Sequence, residues 1–180
     1  DVELRFEVLR GKGAPRLRRL VALLDECVGR SSGIVNADDD DDESTEDGAV
    51  VMGCRSMLDS SRPRAIVFAT YKLEAKATAR LLVERGFAAA ALHGDQTLTA
   101  RTNVVEAFRR GALDVLVATD VAARGLDVAG VGHVISLSMG LSVETLVHRS
   151  GRCGRAGAHG VATAFVVDGD EHLVVPLVEF

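Results

Sequence analysis

Apolar and polar residues alternate over residues 2–9, a pattern typical of a β-strand with one buried face. The next apolar residues recur at helical spacing and, with Pro15 near the first turn, predict an amphipathic helix over residues 16–28. Residues 49–58 recover some apolar character and are expected to extend or follow this helix. The amino-terminal part therefore predicts a strand and a helix before a polar interruption.

From residue 64 onward, short apolar runs alternate with amphipathic stretches. The runs predict β-strands over residues 65–69, 88–92, 114–118, 131–137 and 161–167. The stretches between them predict helices over residues 72–85 and 97–110, a short helix or turn over 119–125, and a helix capped by Ser142 that runs through Val147. The helix over residues 72–85 is expected to turn Leu73, Ala77, Leu81 and Leu82 toward the core. This alternation predicts an α/β fold with an open, mainly parallel sheet and helices on both faces.

The composition indicates that the chain can form the hydrophobic core of one domain, and it shows that acidic residues are concentrated in one segment. The chain has 180 residues, 47% of them apolar, with no Trp and one Tyr, so its core is built from Val, Leu and Ala. The net charge is −5, but residues 36–47 alone hold eight acidic residues and no basic one. We expect a disordered surface insertion at about residues 30–48, since adjacent carboxylates repel one another and resist burial. A second hypothesis is that this insertion docks a basic protein partner.

Three cysteines lie far apart, without a CxxC pair, so neither a zinc site nor a disulfide framework is expected. The sequence predicts free thiols in a reducing compartment. The first ten residues do not resemble a signal peptide, and no apolar run reaches membrane-spanning length. We therefore expect a protein that is not secreted. We also expect it to be intracellular, in the cytoplasm, nucleus or nucleolus, and to be a monomer. Because the chain opens on Asp1, we also expect it to be a piece of a longer protein.

A run of regularly spaced arginines and glycines, HRSGRCGRAG, occupies residues 148–157. Arg149, Arg152 and Arg155 recur every third residue, and glycines follow the same period. Guanidinium groups carry a permanent charge and planar donors that suit phosphate oxygens. One interpretation is a helix that ends near Arg149 and continues into a turn presenting two arginines outward as an anion clamp. The other is a solvated basic loop with ordinary turn glycines.

Further candidate residues follow the predicted strands, where ligands gather in a parallel sheet. Thr119 and Asp120 lie where a strand meets a helix, so exposed N–H groups and a hydroxyl there are expected to hold a nucleic-acid phosphate. Asp120 has a second interpretation as a helix cap. Asp127 is expected to accept a hydrogen bond from a ribose hydroxyl. His148 either links two sites or is a buried, hydrogen-bonded histidine.

Two features of a complete nucleotide site are missing. The sequence contains no GxxxxGK[ST] phosphate loop, and no predicted strand ends in an acidic pair able to hold magnesium. The chain is therefore predicted to complete a nucleotide site that another domain begins.

Four stretches resemble motifs of one family. ATDVAARGLD at residues 118–127 resembles motif V of DEAD-box RNA helicases, and residues 148–157 resemble motif VI, HRxGRxxR. IVFAT at residues 66–70 resembles motif IV, and HGD at residues 93–95, with Arg101, resembles motif IVa. The matches are collinear between residues 65 and 160. The whole chain thus looks like one carboxyl-terminal RecA-like lobe of such a helicase.

The resemblance implies a role for each matching residue. Arg152 and Arg155 would contact the γ-phosphate of ATP, with Arg155 as the arginine finger, and His148 would couple to the amino-terminal lobe. Asp127 and Gly125 would lie at the nucleotide. The RNA backbone would be lined by Thr70, Gly94, Arg101, Thr119, Asp120 and Arg124. ATP would be bound with Mg²⁺, which the amino-terminal RecA-like lobe would hold, so no metal ligand is expected in this chain.

The sequence departs from the family pattern at several positions. Leu98 stands where the family has Gln, Cys153 where it has Thr, and Leu146 where it has an aromatic residue. None of these changes removes a phosphate-binding arginine. We expect the isolated chain neither to hydrolyse ATP nor to unwind RNA. The alternatives are a nonenzymatic RNA-binding scaffold of the same fold and a lobe of a superfamily 2 DNA helicase.

Overall fold

The computed structural model describes residues 1–9, 14–28, 63–126, 128–154, 159–170 and 173. In this part of the chain, strands and helices alternate. In chain order they are β1 (Val2–Val8), α1 (Ala14–Cys27), β2 (Arg64–Ala69), α2 (Lys72–Glu84), β3 (Ala89–Leu92), α3 (Leu98–Arg109), β4 (Val115–Thr119), α4 (Asp120–Ala123), β5 (Val131–Ser136), α5 (Val143–Ser150) and β6 (Gly160–Val166).

The strands form one open sheet in the order β1-β6-β5-β2-β4-β3, and every neighbouring pair is parallel. Alternate residues of the central strand β2 pack into different apolar clusters. Val67 packs with residues of α1 and α2, whereas Phe68 packs with residues of α3 and α4. Helices therefore cover both faces, and the predicted α/β fold with a parallel sheet is confirmed.

Local sequence signals account for where the helices begin and end. The Thr97 side chain caps α3 by accepting a hydrogen bond from the Ala100 N–H at 3.2 Å, and Ser142 caps α5 in the same way. Gly111 follows α3 with a φ of 76°, in the left-handed region that favours glycine. Helix α5 continues to Ser150, one turn beyond the predicted end at Val147.

The predicted inner face of α2 is wrong in part. Leu73 is 72% exposed and Ala77 is also exposed, while the buried positions are Ala75, Thr78, Ala79 and Leu82. The small side chains of Ala75 and Ala79 pack against the alanines of β3, so the helix and the sheet approach closely. Because Thr78 is polar, the spacing of apolar residues did not predict that this face of α2 is the buried one.

Strand β1 exists as predicted, but its predicted buried face is wrong. Val2, Leu4, Phe6 and Val8 are 40–71% exposed. The strand lies at the edge of the sheet with β6 as its single neighbour, and no described helix covers its apolar side. On the opposite side, Glu7 pairs with Arg19 of α1 at 2.7 Å.

Two predicted features of the amino-terminal part of the chain lie outside the described residues. These are the disordered acidic insertion at about residues 30–48 and the helical character of residues 49–58. Within the described ranges, no helix has the length and apolar character needed to cross a membrane. The same ranges contain no group of three His, Cys, Asp or Glu side chains that could hold a metal ion.

Burial of His133 predicts a pH-dependent stability. This β5 side chain is 6% exposed, and burial lowers its pKa from 6.5 to about 4. The unfolded chain therefore binds a proton at a higher pH than the folded chain does. The contribution of His133 to the free energy of unfolding is fully present above its unfolded pKa of 6.5 and should fall as the pH drops from there toward 4. We expect a loss on the order of 1–2 kcal/mol between pH 7.5 and pH 5, measured by urea unfolding.

The control for this prediction is the variant His133→Gln, which retains a polar group near Thr163 but has no titration in this range. Its free energy of unfolding should change less between the two pH values. His93 is also buried, and burial lowers its pKa, so part of the slope will remain. An identical slope in both proteins would contradict the assignment to His133.

Candidate functional site at the carboxyl edge of the sheet

The strand order brings the predicted site residues to one edge. Strands β5, β2 and β4 are adjacent, so the residues that follow them meet at their carboxyl ends. The Thr70 hydroxyl, after β2, lies 2.8 Å from the Ser138 hydroxyl, after β5. Gly94 lies exposed beyond β3, the next strand after β4. The predicted convergence of these stretches is therefore found.

A cavity of about 350 Å³ lies at this edge. Asp120, Arg124 and Gly125 line it from α4 and the turn that follows. From the other side, α5 and its following turn contribute His148, Arg149 and Arg152. Residues from two separate predicted motifs thus share one cavity, whose lining is rich in cationic side chains.

The buried arginine of α5 is held from several directions. Arg149 is 1% exposed, and its Nε and Nη2 donate to the two carboxylate oxygens of Asp120 at 2.6 and 2.8 Å. Its Nη1 donates to the Ser138 carbonyl oxygen at 2.9 Å, and the guanidinium lies 5.3 Å from the centre of the Phe68 ring. Pairing and hydrogen bonding compensate for the burial of this charge.

This ion pair changes the interpretation of Asp120. Thr119 occupies the N-cap position of α4, and Asp120 is the first helical residue, so the helix-cap interpretation is wrong. Both carboxylate oxygens of Asp120 accept hydrogen bonds from Arg149. The motifs in the sequence did not predict this pair. Its signal is the spacing of three that places Arg149 in register with the buried Val143 and Leu146 of α5.

Arg152 lies in the turn after α5 and is half-buried beside the cavity. Its Nη1 donates to the Leu126 carbonyl oxygen at 2.9 Å. The start of β6 supports this turn closely, because a Cβ on Gly160 would lie 2.4 Å from the Gly154 nitrogen. The guanidinium of Arg152 thus lies at the edge of the sheet, which is the position that the anion-clamp interpretation predicts.

His148 is exposed, so the interpretation as a buried histidine is wrong. It follows Val147 on the outer side of α5, at the mouth of the cavity with Arg152. An exposed imidazole at this place is available to a second domain.

A second cleft of about 300 Å³ lies beside the first. It runs between α3 and the residues after α4, with Arg101, Arg109, Arg124 and Gly125 in its lining. Arg124 and Gly125 belong to both cavities and connect them. Leu98, at the position where the family has Gln, lines this cleft and is 79% exposed. The two cavities form a continuous surface that is lined by several arginine side chains.

Arg101 and Thr119, both predicted to contact RNA, differ in accessibility. Arg101 is half-buried, with its Nη2 3.4 Å from the Ala122 carbonyl oxygen. Thr119 is 8% exposed, so little of its side chain reaches solvent. Asp127 and Arg155 lie outside the described residues, and their roles remain predictions.

The loop after β3 is fixed by the side chain of Gln96. The Gln96 amide accepts a hydrogen bond from the His93 N–H and donates one to the Ala91 carbonyl oxygen, both at 3.0 Å. His93 is fully buried, and burial lowers the pKa of its imidazole. Gln96 therefore shapes this loop from within.

Comparison with known proteins identifies the family. The model of the helicase conserved C-terminal domain matches residues 50–157. An ATP-dependent RNA helicase DBP3 of Coccidioides immitis is 45% identical over 115 residues, which are 64% of this chain and 22% of that protein. DEAD-box ATP-dependent RNA helicase 5 of Arabidopsis thaliana is 43% identical over 124 residues, 69% of this chain and 23% of that protein.

Among solved structures, the RNA helicase Prp28 of Chaetomium thermophilum bound to ADP matches with a TM-score of 0.71 and 29% identity. The match covers 99% of this chain and 36% of that one. The chain spans about a fifth of the length of the curated relatives it matches. The chain belongs to the helicase conserved C-terminal domain family and is a C-terminal RecA-like domain of the DEAD-box type.

Proposed function

We propose that this chain is the carboxyl-terminal lobe of an ATP-dependent RNA helicase and completes an ATP site that the amino-terminal lobe begins. The observation that carries the proposal is the position of Arg152, which faces the cavity at the edge of the sheet beside the exposed His148. Membership of the DEAD-box type supports it.

The residues of this lobe would act on the nucleotide by charge and placement. Arg152 and Arg155 would stabilise the negative charge that develops on the transferred phosphoryl group, and an arginine finger contributes about 10³–10⁵ in rate. Gly125 has a φ of 74°, and no described atom lies within 4 Å of the position that a Cβ would occupy, so a nucleotide could approach its backbone from that side. Asp127 would hold the ribose. Mg²⁺ would be held by the amino-terminal lobe, and His148 would contact that lobe.

RNA would lie along the same edge. The guanidinium groups of Arg101 and Arg124 supply charge, and Thr70, Gly94, Thr119 and Asp120 would supply hydroxyl or backbone groups. Contacts of this kind grip sugar and phosphate, so we expect little dependence on base sequence. Closure of two lobes on ATP and RNA would then bend and separate short duplexes. The need for RNA supports a cytoplasmic, nuclear or nucleolar location.

The test is the ATP hydrolysis rate of the whole gene product without nucleic acid, with RNA, and with DNA of the same sequence. We expect RNA to raise the rate and DNA to raise it much less, because 2′-hydroxyl contacts distinguish the two. The 180-residue chain alone should show no turnover. RNA binding without any ATP turnover by the whole protein would favour the scaffold, and equal stimulation by DNA would favour a DNA helicase.

A further inference from the structure

Tyr71 is the most exposed aromatic residue in the described part of the chain. It is 70% exposed, so its ring contributes little to the core. Four of the six phenylalanines are at most 2% exposed, namely Phe68, Phe87, Phe108 and Phe165. A single exposed apolar side chain is ordinary on a protein surface, so the position of Tyr71 decides what its ring can do.

The backbone at Tyr71 is fixed at the edge of the sheet that carries the candidate RNA contacts. Tyr71 follows Thr70, whose hydroxyl lies 2.8 Å from the Ser138 hydroxyl. It is the N-cap residue of α2, and its carbonyl oxygen accepts a hydrogen bond from the Ala75 N–H at 3.0 Å. A ring on a fixed backbone has little conformational freedom left to lose when it binds a ligand.

An ion pair joins the start of α2 to the loop that contains Gly94. The Lys72 Nζ lies 2.7 Å from the Asp95 Oδ2. Strands β2, β4 and β3 are adjacent in that order, so Thr70 and Gly94, both of which we assign to RNA, lie on one edge. Tyr71 therefore directly follows one residue assigned to RNA and precedes the lysine that contacts the loop carrying the other.

We propose that the ring of Tyr71 stacks on a nucleobase of RNA bound along this edge. Contacts to phosphate and sugar hold a strand by charge and hydrogen bonds, and they leave the faces of its unpaired bases open. Aromatic side chains beside the backbone path bind those faces in single strands. Every base has such a face, so stacking adds affinity without requiring a particular base sequence. The inference rests on the proposed function and adds to it a contact with the bases.

The experiment measures the affinity of the whole gene product for a labelled single-stranded RNA by fluorescence anisotropy. We expect Tyr71→Ala to weaken binding about 5- to 150-fold, the usual effect of removing one base–aromatic stack. Tyr71→Phe keeps the ring and should lose much less. The matched control is Leu73→Ala, which removes an apolar side chain of α2 that is 72% exposed and should leave the affinity near wild type.

An abasic strand separates stacking from a general loss of binding surface. It has the same sugars and phosphates as the RNA but no base faces. Wild type and Tyr71→Ala should therefore bind the abasic strand with equal affinity. A merely structural role for Tyr71 would weaken the binding of both strands alike, and that result would contradict the inference.

The 180-residue chain gives a second measurement, because Tyr71 is its single tyrosine and it has no tryptophan. We expect RNA to quench its tyrosine emission, and the abasic strand, bound to the same extent, to leave that emission unchanged. Equal affinity of wild type and Tyr71→Ala for RNA, or an equal loss in Tyr71→Phe and Tyr71→Ala, would overturn the inference alone. A whole gene product that binds no RNA would overturn the proposed function and this inference together.

Discussion

Replacing Arg152 by alanine is expected to lower the RNA-stimulated ATPase rate of the whole protein by about 10²–10³, the usual cost of losing one preorganised donor to transition-state charge. The side chain is already directed to the cavity by its hydrogen bond to the Leu126 carbonyl oxygen. Arg155→Ala should cost more, about 10³–10⁵, if Arg155 is the arginine finger. Initial rates at saturating RNA and varied ATP measure both effects.

The loss should appear mainly in kcat, because the developing charge exists in the transition state and not in bound ATP. Arg80→Ala is the control, because it removes an exposed guanidinium that pairs with its neighbour Glu84 on α2. Its kcat and KM should stay near wild type. If Arg152→Ala raised KM with kcat unchanged, Arg152 would serve substrate binding instead of catalysis.

The second large effect concerns stability and is asymmetric between the two partners of the buried pair. Asp120→Ala leaves the guanidinium of Arg149, which is 1% exposed, without its carboxylate, and should lower the free energy of unfolding by about 3–5 kcal/mol. Arg149→Met should cost less, about 1–2 kcal/mol, because Asp120 is 28% exposed and water can solvate it. Urea unfolding of the 180-residue chain measures both.

The informative result is which of the two variants loses more free energy of unfolding. An exposed pair provides the reference: Arg80→Met and Glu84→Ala should each change stability by less than about 0.5 kcal/mol, as surface substitutions do. If Arg149→Met proved more destabilising than Asp120→Ala, the burial of Arg149 would not be the source of the effect.

The parallel sheet could be predicted because its strands, buried on both faces, appear as continuous apolar runs such as residues 65–69. The buried face of α2 could not be predicted, because the polar residue Thr78 is buried and the apolar residue Leu73 is exposed, contrary to the spacing of apolar residues. Nor could the buried face of β1 be judged, since the alternation of a strand does not say whether anything covers it.

The candidate site also has features that the sequence could predict and features that it could not. Motif order predicted that residues after several strands would meet, and Asp120, Arg124, Gly125, His148 and Arg152 do line one cavity. The pairing of Arg149 with Asp120, 29 positions apart, depends on how α5 lies relative to α4 and cannot be obtained from local pattern. The sequence predicted that the two arginines in the turn point outward, and it made no prediction for Arg149, which the structure buries in α5.

The most direct test of the account is a structure of the whole gene product with RNA and a phosphate-analogue complex of ADP. We predict that the guanidinium groups of Arg152 and Arg155 will lie about 3 Å from the oxygens or fluorines at the γ-phosphate position, the distance of a charge-assisted hydrogen bond. A closed structure in which neither arginine reaches that position would contradict the claim that this lobe completes the nucleotide site.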